Sequence, residues 1–177
     1  MHYMSVQKLG SLIIATLWLV GASSALGNFG TVEEASVQLS KVKQGLKDAA
    51  GDLDAAEKRM QAAGDAVDSL REAFKIGKKS GKEVLTDLQA ISARVDQIEA
   101  DVASVSSDLS DLRDALERIE RVARTFKTST LINEVKNAFV ELEDLEDRVV
   151  SDTKRLTTIR SDIKKLARDA SGLKTGT

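Results

Sequence analysis

Apolar residues at alternating steps of three and four residues restrict most strongly how this chain can fold. One run starts at Val32 and continues without a slip to Phe74, and a second extends from Val84 to Phe126. This is the a/d spacing of a heptad repeat, which places the apolar residues on one narrow stripe of an α-helix. Because such a stripe is buried when helices pack against each other, the pattern predicts long helices joined in a bundle.

A third apolar run is less regular. Its positions are Ile132, Val135, Phe139, Leu142, Leu145, Val149, Thr153, Leu156, Ile159, Ile163, Leu166, Ala170 and Leu173. Consecutive steps of three, and one pair of fours, predict local over- or underwinding of the supercoil. Such slips would expose Leu131, Leu145 or Val150 as a candidate protein-binding surface, or they would mark a repacked layer of the core.

Signals at the ends of the runs predict three helices, at about 31–75, 82–126 and 131–172. Thr31 and Ser80 are each followed by a glutamate three residues later, which is the capping box of a helix N-terminus. Thr130 is the expected cap of the third helix. The chain contains no proline, so no helix is forced to stop early.

Each predicted helix is about 65 Å long at 1.5 Å per residue. Short connections force neighbouring helices to run in opposite directions. We therefore predict an all-α fold, an elongated antiparallel up-down-up helical bundle with heptad, coiled-coil-like packing. Gly51 and Gly64 are the weak points of the first helix, because each interior glycine costs about 1 kcal/mol. A break at either one would give a bundle of more, shorter helices.

The N-terminus predicts a secretory signal peptide at residues 1–25, followed by a single helical-bundle domain at 26–177. Lys8 precedes an apolar run from Leu9 to Ala22, and the small residues Ser23 and Ala25 suit a cleavage site. The run is shorter than the roughly 20 residues that a membrane span needs. We therefore expect a secreted protein without a stable membrane span.

The composition disfavours catalysis and cofactor binding. The single histidine, His2, would leave with the signal peptide, and the chain has no cysteine. Nucleophile–base pairs and zinc sites depend on these two residue types, so we expect neither an enzyme nor a cofactor. The net charge of −2 also disfavours nucleic-acid binding, which is typical of clearly basic chains.

Basic residues form the candidate binding site. In an up-down-up bundle, the connection between the first two helices and the end of the third helix share one pole. The basic residues at this pole are Lys75, Lys78, Lys79, Lys82, Lys164, Lys165, Arg168 and Lys174. Such a patch suits an acidic protein face or a sulfated polysaccharide. The alternative is that the cations complement the dipoles of their own helix ends. Both interpretations also apply to the opposite pole, with Arg118, Arg121, Arg124 and Lys127.

Acidic residues are concentrated in one segment of the third helix. They are Glu141, Glu143, Asp144, Glu146 and Asp147. The segment lacks the spacing and the glycine turn of an EF-hand, which disfavours a calcium site. A solvated helix face around Leu142 and Leu145 is the favoured interpretation.

The expected signal ending Ser23-Ser24-Ala25, the sequence Asn-Phe-Gly-Thr-Val-Glu-Glu-Ala at 28–35 and a small, cysteine-free helical body together form a further pattern. In these features the chain resembles the anophensin and albicin group of mosquito salivary proteins over its whole mature length. The resemblance implies an inhibitor of host plasma cascades, either the alternative complement pathway convertase or contact activation of the kallikrein–kinin system. It assigns no residue a role.

We therefore expect a secreted, non-enzymatic protein that acts by binding a host plasma protein of the complement or contact system. Two alternatives remain, an exchangeable apolipoprotein-like bundle that binds lipid and a structural coiled-coil protein. The narrow apolar stripes of the first two helices favour helix packing over the broad apolar face of a lipid-bound helix.

Overall fold

The computed structural model describes residues 31–172, which form three long α-helices. They are α1 (Val32–Lys75), α2 (Gly81–Thr125) and α3 (Ser129–Gly172). The three helices contact one another extensively, and no strand occurs within this range. The predicted all-α helical bundle is confirmed. The predicted signal peptide and Lys174 lie outside the described residues.

The helix α1 is continuous through Gly51 and Gly64, so the alternative of more, shorter helices is wrong. A Cβ atom placed on Gly51 or Gly64 would meet no other atom within 4 Å, so neither glycine is needed for a close contact. Leu53, Met60 and Ala63 are all buried in the same helix. Packing of this apolar face outweighs the helix propensity lost at the glycines.

Complete capping boxes begin the first two helices. At the start of α1, Glu34 N donates to Thr31 Oγ1 and Thr31 N donates to Glu34 Oε2, both over 3.2 Å. Ser80 and Glu83 make the same reciprocal pair at the start of α2. These contacts satisfy backbone donors that have no partner inside the helix.

The helix α3 begins at Ser129, two residues before the predicted start. Ile132 N already donates to the carbonyl oxygen of Thr128, at 3.0 Å. Thr130 therefore lies within the first turn, and its prediction as the cap is wrong.

A Schellman motif ends α1. Gly77 N donates to Phe74 O at 3.1 Å, and Lys78 N donates to Ala73 O at 2.9 Å. The motif requires a left-handed residue after the cap, and Gly77 has φ 69°.

The same motif ends α2 without a glycine. Lys127 N donates to Arg124 O at 3.2 Å, and Thr128 N donates to Ala123 O at 3.0 Å. Lys127 occupies the left-handed position with φ 50°. A residue that carries a Cβ is strained in this conformation, so α2 ends less favourably than α1.

Burial in α1 and α2 follows the predicted stripes. Every predicted position from Ala35 to Leu70 is buried, and so is every one from Val84 to Ala123. Val32 and Phe74, at the two ends of the first stripe, are only partly buried, and Phe126, also predicted as a core residue, is 53% exposed. It is the C-cap residue of α2 and lies beyond the last helical turn.

Burial in α3 is regular, and the predicted slips are wrong. Its buried residues are Leu131, Val135, Ala138, Leu142, Leu145, Asp152, Leu156, Ile159, Ile163, Leu166 and Ala170. With the half-buried Val149, their spacing alternates between four and three throughout. Leu131 and Leu145, candidates for a binding surface on the irregular spacing, are thus part of the core, whereas Val150 is 52% exposed.

Ion pairs between helices show their relative directions. The pairs between α1 and α3 are Lys43–Glu134, Glu57–Arg148 and Arg71–Asp162. Those between α2 and α3 are Asp96–Arg160 and Arg113–Glu146. In the α1–α3 pairs, the residue numbers of both helices increase together. In the α2–α3 pairs, the residue number in one helix increases as the number in the other decreases. The α1–α2 connection and the end of α3 therefore lie at the same end of the bundle.

Asp152 is the polar residue that the described part of the chain buries in its core, at 5% exposure. Its Oδ2 atom has no hydrogen-bond partner there. Two apolar clusters make up the core, one on each side of this level, and Val149 packs against both. An acidic side chain thus occupies the middle of an otherwise apolar seam.

Candidate functional site

The structure brings seven of the eight predicted basic residues to one end of the bundle. We call this surface the basic pole, and it consists of Lys75, Lys78, Lys79, Lys82, Lys164, Lys165 and Arg168. The start of α2 lies directly against the end of α3, because a Cβ atom on Gly81 would collide with the carbonyl oxygen of Ala170. The glycine allows this close approach of two backbones.

Two cations of the basic pole are paired with nearby carboxylates. Lys75 Nζ lies 2.9 Å from Glu72 Oε1, and Lys79 Nζ donates to Asp87 Oδ2. The hydrogen bond to Asp87 raises the pKa of Lys79. The charges of both lysines are therefore largely balanced locally.

The remaining cations of the basic pole are exposed and make no ion pair within residues 31–172. They are Lys78, Lys82, Lys164, Lys165 and Arg168. Their positive field is therefore balanced only by solvent ions and by carboxylates at longer range. Ile76, 61% exposed, lies among them and offers an apolar contact at the same end.

Helix dipoles account for only part of the basic pole. Lys75 lies in the last turn of α1, where a cation is favourable, whereas the last turn of α3 contains no basic residue. Lys82, in contrast, is the second residue of α2, where the positive end of the dipole disfavours a cation. Lys78 lies in the connection between the helices, outside either one. A role in helix stability therefore does not explain Lys78 and Lys82.

The basic group at the opposite pole is better explained by its own helix. Arg124 forms an ion pair with Glu120, at 2.6 Å, and Arg118 Nε donates to the carbonyl oxygen of Asp114. Arg121 and Lys127 also lie at the C-terminal end of α2. Of these cations, Arg124 lies in the last turn of α2 and complements its dipole.

The acidic segment of α3 is a solvated face, and one of its residues forms an ion pair with α2. Glu146 accepts hydrogen bonds from Arg113 of α2, including one of 3.0 Å from Nε. These bonds raise the pKa of Arg113. The exposed residues of the segment are Glu141, Glu143, Asp144 and Asp147. Among residues 31–172, no three acidic or histidine side chains converge on a point where they could hold a metal ion.

Within the described range, none of the helices combines the length and the apolar character that crossing a membrane requires.

No protein-family model, curated protein or solved structure matches this chain. The resemblance to mosquito salivary proteins therefore stays a prediction from the sequence.

Proposed function

We propose that this protein is a secreted, non-enzymatic binding protein that docks an acidic surface of another protein onto its basic pole. The position of Lys82 carries the proposal. Lys82 is an exposed cation without an ion pair among the described residues, and it lies where the dipole of α2 opposes its charge. An exposed, unpaired cation that does not stabilise its own helix is available to bind an acidic partner.

The distribution and types of the side chains also favour a binding function over a catalytic one. The large aliphatic residues of the three helices are almost all in the core, which leaves a mostly polar outer surface. Residues 31–172 contain no histidine and no cysteine, the residues on which most nucleophilic catalysis depends. A rigid, charged surface supports recognition by electrostatic complementarity.

The proposed partner is a host plasma protein of the alternative complement pathway or the contact system. This choice rests on the resemblance to the anophensin and albicin group. Binding at the basic pole would place the chain across an acidic region of the partner and block access to it. The charge of the pole would also fit a sulfated polysaccharide, and binding to heparin without a protein partner distinguishes this case.

The experiment combines a serum pull-down with complement-dependent haemolysis and kallikrein assays. The purified chain is expected to retain one plasma protein and to inhibit one of the two cascades. The charge-reversal variant K78E/K82E is expected to lose at least about tenfold in affinity, because close charge pairs contribute on the order of 1.5 kcal/mol or more each.

The matched control is K58E/K136E, which reverses two exposed lysines away from the pole. This variant is expected to behave like the unmodified chain. Absence of a plasma partner together with full activity of both cascades would contradict the proposal. Retention on heparin that is lost in K78E/K82E, without any protein partner, would assign the pole to a polysaccharide instead.

A further inference from the structure

Fewer ion pairs join α1 to α2 than join either of these helices to α3. The α1–α3 and α2–α3 edges each carry several cross-helix ion pairs, among them Arg71–Asp162 and Arg160–Asp96. Within residues 31–172, one ion pair joins α1 to α2, with Arg59 Nη1 at 2.6 Å from Asp101 Oδ2. The outer edge of the α1–α2 interface thus has fewer ion pairs than the other two edges.

On one side of Arg59, the two helices place carboxylates beside each other. Asp52 of α1 and Asp108 of α2 have no hydrogen bond or ion pair with any described residue. Burial raises the pKa of both, and neighbouring carboxylates raise it further. The neighbours are Asp48 and Asp101 for Asp52, and Asp111 and Asp52 for Asp108. Asp52 is exposed and Asp108 is half-buried, and Arg59 offsets part of the repulsion at Asp52. Carboxylates held close together repel one another, so this position is suited to a cation from outside.

On the other side of Arg59, a groove of about 230 Å³ lies between the same two helices. Its lining residues are Arg59, Ala62, Ala63, Ala66, Ile91, Arg94, Gln97 and Ile98. The groove exists because α1 presents small alanine side chains opposite the isoleucines of α2. Arg94 is exposed at its rim and has no ion pair within the described range.

We propose that this edge, the α1–α2 flank (Asp52, Ala62 and Ala66 with Arg94 and Asp108), docks one amphipathic α-helix of a protein partner. The basic end of that helix lies beside Asp52 and Asp108, and its acidic end lies beside Arg94. Its apolar stripe rests on the alanines of the groove, as a helix packs into the groove between two others.

The dimensions fit one helix. Asp52 and Ala66 are fourteen positions apart in α1, or about 21 Å along the axis at 1.5 Å per residue. Four turns of a partner helix cover that length. The flank recognises a helix with charges of both signs at opposite ends, whereas the basic pole attracts anions alone, so the proposal stands independently of the function assigned to the pole.

A labelled synthetic peptide of about 18 residues tests the proposal, because it spans the required length with a turn to spare. The probe is a helix with a leucine and alanine stripe, glutamates at one end and lysines at the other. The comparison peptide has the same composition with lysine and glutamate alternating along the helix. Fluorescence anisotropy with the full chain is expected to show saturable binding of the segregated peptide, at least about tenfold tighter than the mixed one.

Two variants identify the surface. D52N/D108N is expected to weaken the segregated peptide about tenfold through loss of the charge pairs. The same variant is expected to unfold at a higher temperature, because it removes the repulsion between neighbouring carboxylates. Ala66→Leu fills the groove and is expected to weaken binding by a similar factor. A merely structural role of the two aspartates would not move affinity and stability in opposite directions.

The control variant is E143Q/D147N, which removes two exposed carboxylates from α3 and is expected to leave the affinity unchanged. The proposal is overturned if the segregated peptide shows no saturation at about 1 mM. It is also overturned if both peptides bind equally, or if D52N/D108N binds as well as the unmodified chain.

Discussion

Asp152 brings a carboxylate into a seam where the spacing of α3 requires an apolar side chain. Burial raises its pKa, and the negative charge of Glu57 raises it further, whereas Arg148 and Arg155 oppose the shift. Both arginines donate their hydrogen bonds to side chains of α1 and leave Asp152 Oδ2 without a partner among residues 31–172. The cost of burying the charge is therefore only partly offset.

Replacement of this residue by an apolar one should stabilise the bundle. Asp152→Leu is expected to raise the free energy of unfolding at pH 7 by about 1–3 kcal/mol, the cost of an unsatisfied buried polar group. Chemical denaturation followed by circular dichroism measures the difference. Asp147→Asn, an exposed change on the same helix, is the control and is expected to have little effect.

The advantage of Asp152→Leu is expected to depend on pH. The pKa of Asp152 is raised in the folded state, so folding favours its protonated form relative to the unfolded chain. The contribution of this shift to stability is therefore fully present below the unfolded pKa of about 3.9 and is lost as the pH rises through the folded value. The difference between the two proteins should shrink as the pH falls from 7 towards 4. A constant difference would contradict the raised pKa.

Whether the buried positions could be predicted depended on where apolar side chains occur along each helix. In α1 and α2, each buried position is apolar and its neighbours are mostly polar, so the register is unambiguous. In α3, a buried aspartate beside Thr153, and two adjacent apolar residues at Leu131 and Ile132, allowed a second register. Apolarity alone cannot identify a core position that a polar residue occupies.

At the scale of the helices, the interior glycines of α1 have different surroundings. Gly51 would meet nothing within 4 Å if it carried a Cβ atom, whereas the Cβ of an alanine at 45 would lie 2.9 Å from Leu112 Cδ2. Gly51→Ala is expected to raise the free energy of unfolding by about 1 kcal/mol through helix propensity. Gly45→Ala, its matched comparison, should gain less, because Leu112 must move. Thermal unfolding of the two variants tests this, and equal gains would contradict the difference in packing.

The two helix ends that share a Schellman motif allow a second prediction. Lys127→Gly is expected to stabilise the protein by about 1 kcal/mol, because glycine adopts the left-handed conformation without strain. Lys127→Ala removes the same charge but keeps the strained Cβ atom, so it serves as the control. If both variants had the same stability in urea denaturation, the backbone at 127 would not be strained.

At the scale of the whole molecule, the basic pole is a consequence of chain order. Three helices with short connections return the end of α3 to the first connection, so the clustering of Lys78, Lys82 and Lys165 was predictable from the sequence. The ion pairs of Lys75 and Lys79 were not, because they depend on side-chain conformations at the turn. The α1–α2 flank was also missed, since the facing of Asp52 and Asp108 requires the register between two helices.

A distance between two spin labels tests most directly whether the pole is one surface. The chain has no cysteine, so Lys78→Cys and Ser171→Cys provide the two labelling sites without background. Pulsed electron paramagnetic resonance of the labelled chain should give a distance below about 25 Å, because neighbouring helix axes lie 8–10 Å apart. A distance near 65 Å, about the length of one helix, would place the two basic segments at opposite ends and contradict the account.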